Sequence, residues 1–112
     1  MKKLEVIFRP EKLEDLKDLM NEKEMYGMTV TMVSGCGHQR GRKVMYRGTE
    51  VSINLLPKVK VEVVLPDSKV DEMIPAIMAS IKTDNVGDGK LFVYECIEAY
   101  RVRTGETGYE VL

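Results

Sequence analysis

The sequence predicts an α+β domain in which two helices cover one face of an antiparallel sheet. Four segments alternate apolar and polar residues with the period of a strand, and two others repeat apolar residues every three or four positions, as a helix does. Their order is strand, helix, strand, strand, helix, strand. With 112 residues the chain can bury a core of its own, so we expect residues 1–112 to form a single domain.

The first strand and helix lie at the N-terminus. Leu4, Val6 and Phe8 alternate with residues that face the other side of the predicted strand. Pro10 ends this strand and is well placed for the first turn of a helix. The helix that follows is amphipathic, and we expect it to end near Gly27, because glycine is the usual residue just after a helix.

The second strand, residues 28–33, is rich in β-branched residues and leads into a long segment, Gly35 to Pro57. Connections beyond about 12 to 15 residues without secondary structure are uncommon in compact domains, and are usually functional or disordered. The charged residues of this segment are Arg40, Arg42, Lys43, Arg47 and Glu50. Four positive charges and one negative charge give a local charge of plus three, which favours an anionic ligand or partner.

The second half of the chain repeats the pattern of the first. Residues 58–65 alternate most regularly, residues 91–94 form the fourth strand, and residues 96–100 are expected to add a short edge segment. Between them lies a second helix with the apolar stripe Val70, Met73, Ile74, Ile77, Met78 and Ile81. Pro75 costs about 3 kcal/mol inside a helix, so we expect a kink or an irregular first turn before it.

This order of elements is that of a ferredoxin-like α/β sandwich, whose sheet has helices on one face only. The residues expected on the other face include the apolar side chains Ile7, Val33, Val64 and Phe92. An apolar sheet face that no helix covers indicates oligomerisation more readily than it indicates a ligand.

Composition narrows the classes of function. The net charge is −1 and the pI is near 5.9, which argues against a general nucleic-acid binder with a broad basic face.

The N-terminus does not resemble a signal peptide, and no apolar run approaches the roughly 18 residues of a membrane span. Cys36 and Cys96 suit a reducing compartment, so we expect a cytoplasmic protein. Cys36 and His38 fall short of the four ligands of a structural zinc site.

Two glycine-rich segments are candidates for binding an anion. Gly35–Gly41 lacks the glycine spacing and the following helix of a dinucleotide fingerprint, but its backbone N–H groups can still turn toward a phosphate. Gly87–Lys90 repeats the pattern with a lysine, although ordinary hairpins use the same residues. Lys58, Arg101 and Arg103 stand near strand ends. We expect the two arginines to project from one face of an extended segment and to clamp a polyphosphate, or else to be solvated surface charges.

Six motifs that occur in order and at matching spacing resemble those of the PII nitrogen-regulatory signalling proteins. They are Gly27–Thr31, Gly35–Gly41, Tyr46–Glu50, Leu56–Lys60, Gly87–Val93 and Arg101–Glu106. The resemblance covers essentially the whole chain. It implies a homotrimer of ferredoxin-like subunits with inward-facing sheets, three nucleotide sites between subunits, and a sensor of carbon, nitrogen and energy status that is not an enzyme.

The resemblance also implies the residues that hold ATP or ADP. The base and ribose would contact Ile7, Thr29, Gly35, Gly37 and Val64, and the phosphates would contact Gly87, Asp88, Gly89, Lys90, Arg101 and Arg103. His38 occupies the place of a customary arginine within this site. It replaces a permanent charge by a group that is largely neutral at pH 7, which puts one phosphate contact in doubt.

With ATP, the resemblance implies a second ligand, 2-oxoglutarate. Mg²⁺ would be held by the phosphates and the side-chain oxygen of Gln39, since hard oxygen ligands suit this ion. Lys58 would pair with the distal carboxylate of 2-oxoglutarate, and the amides of Gln39 and Gly41 would close over it. Gly37 and Gly87 complete the implied 2-oxoglutarate site.

The tip of the long segment is the implied output. Its residues are Arg42, Lys43, Tyr46, Arg47, Gly48, Thr49, Glu50 and Val51. An ammonium transporter, or an enzyme or regulator of nitrogen metabolism, would be the partner, so contact with a membrane would be indirect. We expect Arg47 to enter the partner. Val51 stands where many members carry a uridylylated tyrosine, and Thr49 stands where some carry a phosphorylated serine.

Two other classes of function remain open at this stage. A slow ATPase is one, although no motif places a general base beside the phosphates. A ferredoxin-like module that binds RNA, a metal or another small ligand is the other. Phe8, Phe92 and Tyr94 lack the aromatic motif of an RNA-recognition sheet.

Overall fold

The fold is a four-stranded antiparallel sheet with two helices on one face, as predicted. A computed structural model describes residues 1–36, 42–46, 49–53 and 55–112, with side chains for 1–36 and 55–112. The strands are β1 (Lys2–Phe8), β2 (Met28–Gly35), β3 (Arg42–Tyr46), β4 (Thr49–Ile53), β5 (Leu56–Leu65) and β6 (Gly89–Glu95). In the main sheet the order is β2-β5-β1-β6, and every pair is antiparallel.

The helices are α1 (Leu13–Glu22), preceded by a 3₁₀ turn at Pro10–Lys12, and α2 (Asp67–Ile81). They cover the side chains that alternate along the two central strands, β1 and β5. The buried core is Leu4, Val6, Phe8, Leu16, Met20, Val59, Val61, Val63, Leu65, Val70, Met73, Ile77 and Ile81. No helix in the described part of the chain is long and apolar enough to cross a membrane.

The register of β1 and β5 explains why the core forms on one face. Leu4 lies opposite Val63, and Val6 lies opposite Val61, so apolar side chains stack across the two strands. Each of these residues is at most 4% exposed. A shift of one residue would place them all on the other face, so the alternating pattern fixes the register.

The face of the sheet without helices is mixed rather than simply apolar. Lys3 pairs with Glu62 at 3.1 Å, and Lys60 lies 3.7 to 3.8 Å from Glu62 and Glu5. The hydroxyl of Tyr94 donates to Glu5 at 3.0 Å. These ion pairs lie in the middle of the face on which the sequence analysis predicted apolar residues.

The apolar residues predicted for that face do lie on it. Ile7, Val33 and Val64 are half-buried, and Phe92 is 41% exposed. Residues that lie opposite one another on paired strands point to the same face of a sheet. Ile7 lies opposite both Lys60 and Lys90, so its side chain is on the same face as those of the two lysines.

The end of α1 differs from the prediction. The helix stops at Glu22 rather than near Gly27. Glu24 takes the left-handed conformation, with φ of 58°, and the N–H of Met25 bonds back to the carbonyl of Met20 at 2.8 Å. A non-glycine residue therefore ends this helix, and the glycine signal three residues later was misleading.

The predicted edge strand at residues 96–100 is absent. Strand β6 ends at Glu95, opposite Lys2, where β1 begins, so β1 offers no further residues for pairing. The N–H of Cys96 donates to the Met1 carbonyl, and Tyr100 forms an isolated bridge with Thr107, but residues 96–100 form no continuous ladder with a neighbouring strand.

The long segment contains regular structure of its own. Strands β3 and β4 pair antiparallel, from Arg42 opposite Ile53 to Tyr46 opposite Thr49. Strand β2 also extends two residues beyond the predicted Val33, to Gly35. The long insertion between two strands of the main sheet is as predicted, and its described residues add a two-stranded ladder that the sequence analysis did not specify.

Helix α2 accommodates Pro75 within a single α-helix of 15 residues. The irregular first turn that we expected is not seen. Pro75 is exposed, so its missing N–H does not leave a buried group without a donor. Of the predicted stripe, Met78 is 47% exposed and lies outside the core.

Candidate functional site

One cleft, of about 470 Å³, lies beside the loop before β6, and we call it the loop cleft. Its lining residues are Ile7, Gly35, Cys36, Leu56, Lys58, Asn85, Gly87, Asp88, Gly89, Lys90 and Phe92. The cleft brings together both glycine-rich segments and a lysine from each of β5 and β6. Most of the residues predicted for the phosphate end of a nucleotide site therefore meet here.

Two glycines of the Gly87–Lys90 segment are required by the backbone. Gly87 and Gly89 have φ of 100° and 110°, in the left-handed region that side chains rarely tolerate. A Cβ on Gly89 would also overlap the carbonyl oxygen of Ile7, because β1 and β6 pair at this point. Close packing of β1 against this loop therefore excludes any residue other than glycine at position 89.

Lysine side chains supply positive charge to the loop cleft. The ammonium of Lys58 donates to the carbonyl oxygen of Gly87 at 2.6 Å. Burial, followed by the nearby Arg9 guanidinium, lowers the pKa of Lys58 below its usual range. Lys90 is exposed at the start of β6. Both lysines can contribute to binding an anion in this cleft.

The carboxylate of Asp88 is directed into its own loop. Its Oδ2 accepts hydrogen bonds from the backbone N–H groups of Thr83 (2.6 Å) and Asp84 (2.9 Å). Its Oδ1 accepts from the Thr83 hydroxyl and from Nε of Arg9, the latter at 3.0 Å. These bonds, with the Thr83 hydroxyl first, hold the pKa of Asp88 well below its usual range.

A second cleft, of about 530 Å³, lies at the other end of β1, and we call it the tail cleft. Its lining residues are Lys3, Glu24, Met25, Tyr26, Gly27, Thr29, Glu62, Val63, Val64, Leu65, Pro66, Lys69, Tyr109, Val111 and Leu112. Thr29 and Val64, predicted for the base and ribose, are among them. The C-terminal 3₁₀ turn, Gly108–Val111, forms one wall of this cleft.

The two C-terminal arginines do not lie on an extended segment, contrary to the prediction. Residues 102–104 form a turn, closed by hydrogen bonds between Arg101 and both Gly105 and Glu106. The Arg101 guanidinium binds the Glu106 carboxylate at 3.0 Å and the Glu110 carbonyl at 3.3 Å. Arg103 is exposed. The turn directs the chain back toward the tail cleft instead of toward the loop cleft.

The predicted nucleotide residues thus separate into two groups at opposite ends of β1. Ile7, at one end, pairs with Lys90 of the loop cleft, and Lys3, near the other, pairs with Val64 of the tail cleft. Four residues of extended chain separate the two positions, about 13 Å. Arg101 does not line the loop cleft, and its guanidinium instead binds the Glu110 carbonyl in the turn that forms a wall of the tail cleft.

Some predicted residues lie outside the described residues or are described only as strand. Gly37, His38, Gln39, Gly41, Arg47 and Gly48 are outside. Arg42, Lys43 and Tyr46 belong to β3, and Thr49, Glu50 and Val51 belong to β4. Among the described residues, no group of three or more His, Cys, Asp or Glu side chains could hold a metal ion.

Sequence reasoning missed the residues that hold the loop from outside the cleft. Arg9 and Thr83 bind Asp88 although they lie 79 and five residues away in the chain. Asp84 has φ of 65°, and aspartate is one of the few non-glycine residues that tolerate this conformation. An aspartate among turn-forming residues could have indicated a tight turn here.

Comparisons with known proteins identify the family of this chain. Residues 1–106 match the family model described as nitrogen regulatory protein P-II. Over the whole length of both chains, the sequence is 46% identical to the nitrogen regulatory protein P-II of Rhodobacter capsulatus and 45% identical to that of Pasteurella multocida. It is 44% identical over 95% of each chain to nitrogen regulatory protein P-II 1 of Escherichia coli. The chain therefore belongs to the P-II family of nitrogen regulatory proteins.

Proposed function

We propose that this regulatory signal protein, which is not an enzyme, binds ATP or ADP and, together with Mg²⁺-ATP, 2-oxoglutarate. The ligand state would then control partner proteins through the long segment between β2 and β5. The observation that carries the proposal is the loop cleft, where the left-handed Gly87 and Gly89 lie beside Lys58 and Lys90. Glycine backbone and lysine charge are the usual protein contribution to a phosphate site.

The separation of the two clefts supports a nucleotide site that a second subunit completes. The loop cleft has the features of a phosphate site, and the tail cleft offers the half-buried apolar Val64 beside the hydroxyl of Thr29. A base and ribose in the tail cleft of one copy would lie next to phosphates in the loop cleft of another. This supports a homotrimer whose open sheet faces meet, as the family resemblance implies.

The described residues of the loop cleft supply only some of the ligands that Mg²⁺ would need in the proposed complex. Asp88 is the only carboxylate that lines the described part of the loop cleft, and its two oxygens already accept four hydrogen bonds. The ion would therefore be held by phosphate oxygens and by Gln39. Mg²⁺ would supply positive charge that neutralises the phosphates and would offer positions for the 2-oxo acid group.

Lys58 is the described residue that fits the distal carboxylate of 2-oxoglutarate. Its stem packs beside Gly35, whose missing side chain leaves 3.6 Å between an ideal Cβ and the Lys58 Cγ. Its ammonium already binds a carbonyl oxygen of the phosphate loop. One lysine would thus contact both the nucleotide loop and the effector, which supports a binding order with nucleotide first.

The effector acts as a switch only if it binds one arrangement of the long segment better than the other. Gln39 and Gly41 would supply this difference, since 2-oxoglutarate with Mg²⁺-ATP would need them folded over the ligand while ADP would not. The output would be the tip of the segment, with an ammonium transporter as the proposed class of partner.

Calorimetry with 2-oxoglutarate tests the ligand part of the proposal. The protein is titrated in the presence of Mg²⁺-ATP, of Mg²⁺-ADP, and without nucleotide. We expect binding only with Mg²⁺-ATP. Equal binding in all three titrations would refute the mechanism, and so would the absence of any ATP binding.

Replacement of Arg47 by alanine tests the division of labour within the long segment. We expect Arg47→Ala to abolish capture by an ammonium transporter while leaving ATP affinity unchanged, because the tip would contact only the partner. Pull-down from membranes that contain the transporter measures the first property, and calorimetry measures the second. Loss of both would contradict separate roles for the base and the tip.

A further inference from the structure

Asp88 has no hydrogen-bonding capacity to spare for a ligand. Two backbone N–H groups, one hydroxyl and one guanidinium already donate to its two oxygens, and a carboxylate offers about four acceptor positions. The side chain is 22% exposed, and its donors come from Thr83, Asp84 and Arg9. Only the backbone of Asp88 remains available to a phosphate in the loop cleft.

Arg9 is the donor in this set that comes from a distant part of the chain. It follows β1 directly and precedes Pro10, so its backbone is fixed to the centre of the sheet. Its Nε binds Asp88, and its Nη2 donates to the carbonyl oxygen of Val86 at 2.8 Å. Arg9 therefore holds the chain on both sides of Gly87.

The charge of Arg9 is balanced within the loop. Its side chain is 17% exposed and lies against the ionised Asp88. The hydrogen bonds to Asp88 keep the pKa of that carboxyl well below its usual range, so the pair is intact at neutral pH. Arg9 also lies close enough to Lys58 to lower the pKa of that lysine. The Arg9 guanidinium is therefore bound to the loop and close to Lys58, and most of its surface is shielded from solvent.

We infer that Arg9 is a positioning residue for the anion-binding segment Gly87–Lys90, which it holds through Asp88 and the Val86 carbonyl without contacting the nucleotide. The inference rests on the proposed function, since it assigns a role in nucleotide affinity. A planar guanidinium suits this role because its nitrogens can bind two acceptors at fixed spacing, whereas lysine has a single ammonium.

The test compares Arg9→Met, Asp88→Asn, the double variant and Arg9→Lys, with Lys12→Met as a control that changes the net charge equally. Lys12 lies three residues away and pairs with Asp15 at 3.5 Å instead of with the loop. ATP and adenosine are titrated by calorimetry. Two-dimensional NMR of the nucleotide-free proteins records the amide signals of Gly87 and Gly89.

We expect Arg9→Met and Asp88→Asn each to weaken ATP binding about tenfold, the scale of losing a charge-assisted hydrogen bond. Adenosine affinity should stay within about twofold, because Arg9 and Asp88 hold the segment that would bind phosphate and form no hydrogen bond with the described residues proposed for the base and ribose. The double variant should bind ATP about as well as either single variant, since both changes break the same Arg9–Asp88 contact. Arg9→Lys should recover part of the affinity, and the two glycine amide signals should shift in Arg9→Met.

Three results would overturn the inference. One is unchanged ATP affinity in Arg9→Met. Another is an additive loss in the double variant, which would mean that Arg9 binds phosphate directly. The third is an equal loss of adenosine binding, which would indicate general damage to the fold. If the unmodified protein bound no ATP, the proposed function would fail instead, and the glycine amide shifts would still decide whether Arg9 positions the loop.

Discussion

The loop cleft and the tail cleft lie on one sheet but are built differently. At the loop cleft, Arg9, Thr83 and Lys58 place partly buried hydrogen bonds on the loop itself. At the tail cleft the Lys3–Glu62 pair on the sheet is partly buried, but the contact that holds the C-terminal wall is exposed: the Tyr109 hydroxyl donates to Asp67 at 3.3 Å, and Asp67 is 58% exposed. Exposed pairs of this kind contribute little to stability.

The difference indicates which half of a shared site is formed in advance. The backbone of the loop cleft is fixed by internal bonds in one subunit, so an anion meets a surface that is already arranged. The tail cleft would gain its full set of contacts only against a second copy. Affinity for phosphate should therefore depend chiefly on the loop residues.

The largest effect is expected for Gly89→Ala. A methyl group there would overlap the Ile7 carbonyl, and φ of 110° adds strain, so we expect the free energy of unfolding to fall by more than about 3 kcal/mol. Urea unfolding measures the change. Gly105→Ala is the matched control, because Gly105 also has positive φ, 75°, but open space around it. It should cost only about 1 kcal/mol. Equal losses in the two variants would show that the close packing against Ile7 is unimportant.

A mixed-subunit experiment sharpens the comparison of the two clefts. Lys90→Met disables the loop side, and Arg101→Met disables the tail side, so homotrimers of either variant should bind ATP weakly. When the two variants are refolded together, about a quarter of the sites should combine intact halves from different subunits. Equilibrium dialysis counts the recovered high-affinity sites. No recovery would place both halves of the site in a single subunit.

A smaller effect is expected in the pH dependence of Asp88→Asn. The folded pKa of Asp88 is lowered, so the carboxylate stabilises the fold above its unfolded pKa of about 3.9, and this contribution is lost as the pH falls. The difference in unfolding free energy between the unmodified protein and the variant should be constant from about pH 5 to 8. It should shrink below about pH 4. Urea titrations across this range measure it, and a difference that grew on acidification would contradict the assigned hydrogen bonds.

The elements that depend on local periodicity could be predicted from the sequence. Leu4, Val6 and Phe8 alternate because every second residue of β1 faces the helices, and all three are buried as expected. The glycines of the Gly87–Lys90 turn were also correctly identified as a site where backbone conformation matters. These patterns involve residues that are close together in the chain, so they can be recognised in a single sequence.

The errors arose where distant parts of the chain decide the outcome. Residues 96–100 are not a strand because the pairing of β6 with β1 ends at Glu95 opposite Lys2, which local pattern does not reveal. The end of α1 depends on Glu24 accepting a left-handed conformation that glycine usually provides. The contact between Arg9 and Asp88 could not be found among many charged residues, since only the pairing of β1 with β6 brings the two together.

The central position of β1 also affects how the chain folds. This strand precedes the other strands of the sheet, and its partner β6 lies more than 80 residues later in the sequence. Contacts between such distant segments slow folding, because a long stretch of chain must be closed before they form. Until β6 arrives, one side of β1 presents unpaired backbone groups that can add a strand from another chain. The nascent protein is therefore most exposed to aggregation just before its last strand is available.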